Sequence, residues 1–342
     1  MSRTDQARNA ACLQLKTTAA APGSMNSPLL HSALTPSGPQ AAAIAWLWWV
    51  MLGTTAAVFV IVLAFLGIAV FRGSRKRDGL VPTRDDSTLT AAVVVSVGVT
   101  TFILFVLLAA SMWTGRTVAA LEAPSAVTIS IVGHQWWWEV EYEDAVPSRR
   151  VKTANEVHIP IGRPVVFKVT SRDVIHSFWV PNLHGKRDLI PGYTTAIWLQ
   201  ADRPGVYRGQ CAEFCGMQHA HMAFQVVAEA EAEFDRWLAA QRASSADGQT
   251  ESQKHGRAVF LTRQCALCHT IRGTPAFGAV GPDLTHIASR QSIAAGTLPN
   301  SRGHLGGWIV DPQAIKPGNR MPPNVLSADD LDDLLEYLDS LK

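Results

Sequence analysis

Two stretches of this chain carry no charged side chain, and nothing else in the sequence constrains its fold as tightly. They run over residues 44–71 and 87–115. A helix needs roughly 20 mostly apolar residues to cross the hydrocarbon core of a bilayer, and both stretches exceed that. One uncharged run could be a buried helix of a soluble protein; two of this length in succession predict a membrane hairpin. Trp46, Trp48 and Trp49 open the first run and Trp113 closes the second. Tryptophan favours the water–lipid interface, so the tryptophan-bearing ends are expected on one side. The loop between the runs, RGSRKRDGLVPTRDDS, crowds Arg72, Arg75, Lys76 and Arg77 at its start. Short basic loops stay in the cytoplasm. The hairpin therefore predicts a bacterial inner-membrane protein whose termini, and everything beyond Arg116, lie on the periplasmic or outer side.

The chain has 342 residues, 47% of them apolar and 17% charged. Outside the hairpin it reads as soluble protein, and its length predicts two or three units. Acidic and basic residues nearly balance, for a net charge of +2, so no nucleic-acid partner is expected. Residues 1–40 lack both a helical period and the apolar stretch of a leader peptide. They are expected to be disordered or processed, with Met25 as a candidate start. The expected division is 1–40, a hairpin over 41–118, a β domain over 119–242, a linker over 243–252 and a second soluble domain over 253–342. Segments such as VTISIVG, WWWEVEY, PVVFKVTS and MAFQVVA, split by Gly and Pro, predict the β domain's short strands.

Of the five cysteines, Cys12 stands alone and carries no assignment. The other four fall into two motifs. In CAEFCGMQHAHM, Cys211, Cys215, His219 and Met222 follow one another closely, and His176 lies on an earlier segment. Two thiolates, two imidazoles and a thioether suit copper, and two cysteines can bridge two copper ions. On spacing alone a Cys–Cys–His–His zinc site and a Cys211–Cys215 disulfide stay open. The second motif is Cys265-x-x-Cys268-His269, the attachment signature of haem c, in which both thiols add across the vinyl groups and the histidine ligates the iron. The sixth ligand should be methionine or histidine. Met321 is the only methionine after the motif; His286 and His304 are its rivals.

The segments GHQWWWEVEY, DVIHSFWVP, KRDLIPG and GVYRGQCAEFCG, with the trailing His219 and Met222, resemble subunit II of the haem–copper cytochrome c oxidases. The resemblance covers about residues 28–230, hairpin included. It implies a cupredoxin fold holding a dinuclear copper centre, CuA. Cys211 and Cys215 would bridge the ions, His176 and His219 would end the set, and Met222 and the Glu213 carbonyl would be weak axial ligands. The Glu213 side chain would reach a Mg or Mn ion at the interface with subunit I. Trp136 would be the aromatic residue at which electrons arrive, its alternative being a packed core aromatic. Asp173 and Asp188 match positions near that interface, or are turn and ion-pair residues. Met217, His221, His134, His158 and His184 are read as non-ligands. In one respect the chain departs from the family: RDDSTLTAAVVV has no glutamate at the start of the second run, where many such oxidases carry one at a proton channel, and Asp85 or Asp86 would have to substitute.

The segments VGPDLTHIASR and GGWIVDPQAIKPGNRMPP, with the closing helix, resemble the class I cytochrome c domain fused to subunit II in caa-type oxidases. This implies His269 and Met321 as axial ligands, with Gly281 and Pro282 beside the histidine. The expected architecture is a two-helix transmembrane hairpin, an all-β cupredoxin domain and an all-α cytochrome c domain. The expected function is that of subunit II of a terminal oxidase, taking electrons from cytochrome c or another donor through haem c and CuA. The catalytic subunit that reduces oxygen is subunit I; subunit III and the lipid bilayer are further partners. No residue here is a candidate acid, base or nucleophile for oxygen chemistry. A CuA subunit of a haem–copper nitric oxide reductase is the alternative, and a copper- or haem-binding module without an oxidase is a third. The copper-ligand set disfavours a quinol oxidase.

Overall fold

The computed structural model describes residues 29–75, 86–119, 127–245 and 247–342. Cys12, Met25, Lys76, Arg77 and Asp85, singled out above, lie outside the described residues. The two uncharged runs form helices α1 (Pro39–Arg75) and α2 (Asp86–Ala119). At 1.5 Å per residue each exceeds the ~30 Å hydrocarbon thickness. Their large apolar side chains point outward, Phe65 at 70% exposure and Phe105 at 66%, as a lipid-facing surface requires. The hydroxyls of Thr54, Ser96 and Thr100 bond back to the carbonyl four residues earlier, so none is left unpaired in an apolar medium. The start of α1 is pinned to the β domain: Ser37 N donates to Asn182 O at 2.7 Å and Ala41 N to Leu183 O at 3.2 Å. A Cβ at Gly38 would fall 2.1 Å from Gln200 O, so only glycine lets the helix approach this closely.

The β domain is a two-sheet sandwich. One sheet orders β4 (Val151–Ala154), β3 (Trp137–Tyr142), β2 (Val127–His134), β6 (Val165–Ser171) and β9 (Thr195–Leu199). The other orders β5 (Glu156–Pro160), β11 (Ala223–Glu229), β10 (Gly205–Cys211), β7 (His176–Trp179) and β8 (Arg187–Leu189). The short strand β1 (Leu29–Leu30) joins β10 in parallel. The β2–β6 and β5–β11 pairings are parallel, and the remaining described pairings within these sheets are antiparallel. Strand alternation sends Ile129 and Ile131, and Val165, Phe167 and Val169, into the core between the sheets. The result is the expected cupredoxin-like sandwich. Helix α3 (Glu231–Gln241) follows and packs Phe234 and Trp237 against Tyr142.

The C-terminal domain is helical apart from one small hairpin. Its elements are α4 (Glu251–Thr262), α5 (Cys265–Cys268), the hairpin β12 (Ser292–Ile293) and β13 (Leu298–Pro299), α6 (Arg302–Val310), α7 (Pro312–Ile315) and α8 (Ala328–Asp339). Helix α4 opens on a capping box between Thr250 and Gln253, and the Ser327 hydroxyl caps α8. The two helices cross at Gly256, where a Cβ would lie 1.9 Å from Asp333 O. Leu334, Leu335 and Leu338 of α8 are buried in this core. The polar segment between the domains is tied down at its start: Ser245 N donates to Arg272 O at 3.0 Å and the Ala243 carbonyl faces His286 Nε2 at 3.1 Å.

Candidate metal and haem sites

The first site forms where β7, β10 and the loop into β11 meet. Strand β7 begins at His176 and β10 ends at Cys211, which pairs with Phe178 across the ladder. Two backbone bonds fasten the loop, Cys211 N to Met222 O at 2.9 Å and Ala212 N to Ser177 O at 3.0 Å. The side chains then form a chain of contacts. His176 Nδ1 lies 3.8 Å from Cys211 Sγ, Cys211 Sγ lies 3.7 Å from Cys215 Sγ, and Cys215 Sγ lies 3.6 Å from His219 Nδ1. Met222 Sδ adds a weaker donor 3.8 Å from Cys215 Sγ, and Glu213 O lies 3.1 Å from Cys211 Sγ. The two buried thiols are free, their separation far beyond the ~2.05 Å of a disulfide. The contact with Cys215, and after it that with His176, holds the Cys211 thiol well below its ordinary value, while the same pairing pushes Cys215 up. Two thiols in contact, with the thiolate form of one favoured, suit a soft cation.

Asp173 completes the arrangement. Its Oδ1 accepts from His176 Nε2 at 2.8 Å and its Oδ2 from Gln135 N at 2.7 Å. The far nitrogen of His176 is thereby engaged, which fixes the ring and leaves Nδ1 toward the sulfur. Burial opposes the charge on Asp173, but the bonds from His176, Gln135 and Val174 hold its carboxyl below the ordinary value. The described geometry gives Asp173 the ion-pair role offered for it above, with His176 as its partner. The signal was the acid three residues before a candidate ligand. The neighbours read as non-ligands point elsewhere. His221 Nδ1 meets Gln218 Oε1 at 2.8 Å, Met217 is 75% exposed, and His158 lies between Glu156 and Glu229. The Glu213 carboxylate pairs with Lys186 at 3.0 Å near the surface.

Trp136 joins this site to the next. It is 8% exposed, and its indole Nε1 donates to Cys215 O at 2.9 Å. Gln135 Nε2 donates to the same oxygen at 2.8 Å. The ring also lines a cleft shared with Cys265, Cys268, His269 and Met321. In that cleft α5 holds the two cysteines on a single turn, and His269 N bonds to Cys265 O at 2.9 Å. His269 Nδ1 donates to Pro282 O at 2.8 Å, which leaves Nε2 free as a ligand. Burial lowers the His269 pKa and so favours the neutral ring, the Pro282 carbonyl opposing. A Cβ at Gly281 would come within 2.6 Å of the His269 ring, so glycine leaves room for it. Met321 is held at both backbone ends: its N donates to Asn319 Oδ1 and its O accepts from Gln313 Nε2, each at 2.8 Å. Neither rival histidine lines the cleft. His286 faces the carbonyls of Lys342 and Ala243, and His304 turns to Ser301 Oγ. Two thiols, a free imidazole nitrogen, a fixed thioether and apolar walls from Phe260, Leu284, Leu305 and Trp308 fit a covalent haem.

The comparisons match both halves. Residues 145–230 match the family "Cytochrome C oxidase subunit II, periplasmic domain", and residues 253–342 match "Cytochrome c". The chain is 37% identical over 320 residues to cytochrome c oxidase subunit 2 of Alkalihalophilus pseudofirmus, covering 91% of each chain. It is 33% identical over 230 residues to the subunit 2 of Bacillus sp. PS3, covering 64% of this chain and 63% of that relative. Among solved structures, the periplasmic domain of subunit II of cytochrome oxidase from Bradyrhizobium japonicum aligns at 30% identity and a TM-score of 0.33, covering 35% of this chain and 97% of that one. With a full-length relative aligned across nine-tenths of both chains, and the two matched families standing in the order of the two sites, the chain belongs to the cytochrome c oxidase subunit II family, in the form that carries a C-terminal cytochrome c domain.

Proposed function

We propose that this subunit passes electrons from cytochrome c or another donor through a covalently held haem c and a dinuclear CuA centre to the catalytic subunit that reduces oxygen. The observation that carries the reading is the chain of contacts His176–Cys211–Cys215–His219, which reaches the haem cleft through Trp136. When bound, the copper pair and the haem each supply a one-electron couple. Cys211, Cys215, His176 and His219 would hold the copper ions, with Met222 and the Glu213 carbonyl as weaker donors. The donor atoms of His176, Cys211 and Cys215 lie within 4.8 Å of one another, and metal counting separates two copper ions from one tetrahedral zinc. Asp173 holds the His176 ring. Cys265 and Cys268 would anchor the haem, with His269 and Met321 as its axial ligands. A Mg or Mn ion at the subunit I contact would draw on the Glu213 side chain, with Lys186 released from its ion pair. Residues 41–118 would form the membrane hairpin, 119–242 the copper domain and 253–342 the haem domain, joined by 243–252. The basic residues between the two helices and the tryptophans at the hairpin's other end support a position of both domains on the periplasmic side of a bacterial inner membrane, where subunits I and III would lie beside them.

Metal and haem counting with EPR on the purified full chain tests this reading. Two coppers and one haem per chain, with a mixed-valence copper signal, are expected. One copper per chain, or zinc, would overturn the dinuclear assignment.

A further inference from the structure

The haem cleft is not closed by its own domain alone. Gln135, Trp136, Trp137 and Asn155 of the copper domain line it together with Cys265, His269 and Met321. At that boundary sits Lys316, 2% exposed, on the turn after α7. Its ammonium donates to Trp136 O, in the copper domain, at 2.8 Å and to Ala294 O, in its own domain, at 3.1 Å. No carboxylate lies within ion-pair distance of it among the described residues. Burial pulls its pKa down to about 7. A lysine buried without a carboxylate is costly in folding terms, so its placement calls for another reason.

The surroundings supply one. Directly after Lys316, Pro317 O accepts from Gln218 Nε2 at 2.7 Å. On the other side of Lys316 lies the β12–β13 hairpin, whose turn runs through three successive residues at positive φ: Ala294 at 53°, Ala295 at 58° and Gly296 at 71°. Left-handed backbone is unfavourable for alanine, so tertiary contacts must hold this turn. They come from the copper domain. Ala295 O accepts from Ala223 N at 3.0 Å, and just before the hairpin Gln291 N donates to Glu156 Oε2 at 2.9 Å. Lys316 thus bonds at once to the strained turn and to the Trp136 backbone.

We propose that Lys316 and the 292–299 hairpin form a clamp that keeps the haem domain docked on the copper domain, so that the donor to Trp136 is the chain's own haem domain, held in place rather than arriving by collision. The clamp is a positioning device: Lys316 and residues 292–295 line the haem cleft, but none of them is among the residues assigned to hold the haem or the copper. Its consequence for electron transfer rests on the function proposed above, but its existence does not.

Two measurements on the full, cofactor-loaded chain test it. Hydrogen exchange reads docking directly at the Ala223 and Gln291 amides, which both donate across the boundary. Lys316→Met keeps the length and loses the ammonium donor to the buried Trp136 carbonyl, while Ala294 O keeps the Thr297 hydroxyl at 2.7 Å. It should speed exchange at both amides by about tenfold or more. It should also slow haem-to-copper transfer by a similar factor and make that transfer depend on solvent viscosity. Lys316→Arg should restore part of both. Gln218→Ala, a change on the copper side, should weaken protection in the same direction, so a folding defect in one variant leaves the test standing. Unchanged exchange and unchanged transfer in Lys316→Met would overturn the clamp. Wild-type metal and haem content in that variant would show that the sites themselves were unaffected.

Discussion

The indole nitrogen of Trp136 donates to the carbonyl of Cys215 at 2.9 Å across 79 residues of sequence, while the same residue lines the haem cleft. One side chain therefore touches the surroundings of both sites. Trp136→Phe keeps an aromatic wall and removes the donor. Transfer between the sites is expected to slow by about tenfold, the scale of one lost hydrogen bond, with both cofactor spectra unchanged. Flash kinetics on the loaded chain checks it.

Asp173 holds the outer nitrogen of His176 at 2.8 Å. Asp173→Ala removes this acceptor, and copper affinity should fall by about 10- to 100-fold, as when comparable partners of metal-bound histidines are lost. Competition with a copper chelator measures it. An unchanged affinity would mean that the ring is held by packing alone.

Met321 lines the cleft, while His286 and His304 are engaged elsewhere. Met321→Ala should abolish the spectral signature of methionine ligation and lower the haem midpoint potential. His286→Ala and His304→Ala should leave both unchanged. A retained sixth-ligand spectrum in Met321→Ala would remove that residue from the haem.

His158 titrates against the fold. Burial disfavours its charge, but hydrogen bonds to Glu156 and Glu229 outweigh that and hold its pKa above the ordinary 6.5. A group whose folded pKa is raised contributes stability that is fully present below the unfolded value and fades as pH climbs through the folded one. Thermal unfolding of the full chain should therefore lose stability as pH rises above 6.5, and His158→Gln should flatten that slope.

Much of this was legible in the sequence because its signals are local. The helices were fixed by the absence of charge over 44–71 and 87–115, and the thiol pairs by spacing of three and four residues. The copper geometry needed more. His176 reaches Cys211 only because β7 pairs with β10, and short-range spacing carries no information about strand pairing. For the same reason Asp173 read equally well as a turn residue, since its bond to Gln135 spans 38 positions. Lys316 gave no sequence signal: lysines are usually solvated, and its partner Trp136 lies 180 residues away.

The account's central claim is an electron relay within one chain, and rapid photochemical reduction of the haem in the loaded protein tests it most directly. Haem reoxidation and copper reduction should follow one rate constant that is independent of protein concentration. A rate that scales with concentration, or haem reoxidation with no matching copper signal, would contradict it.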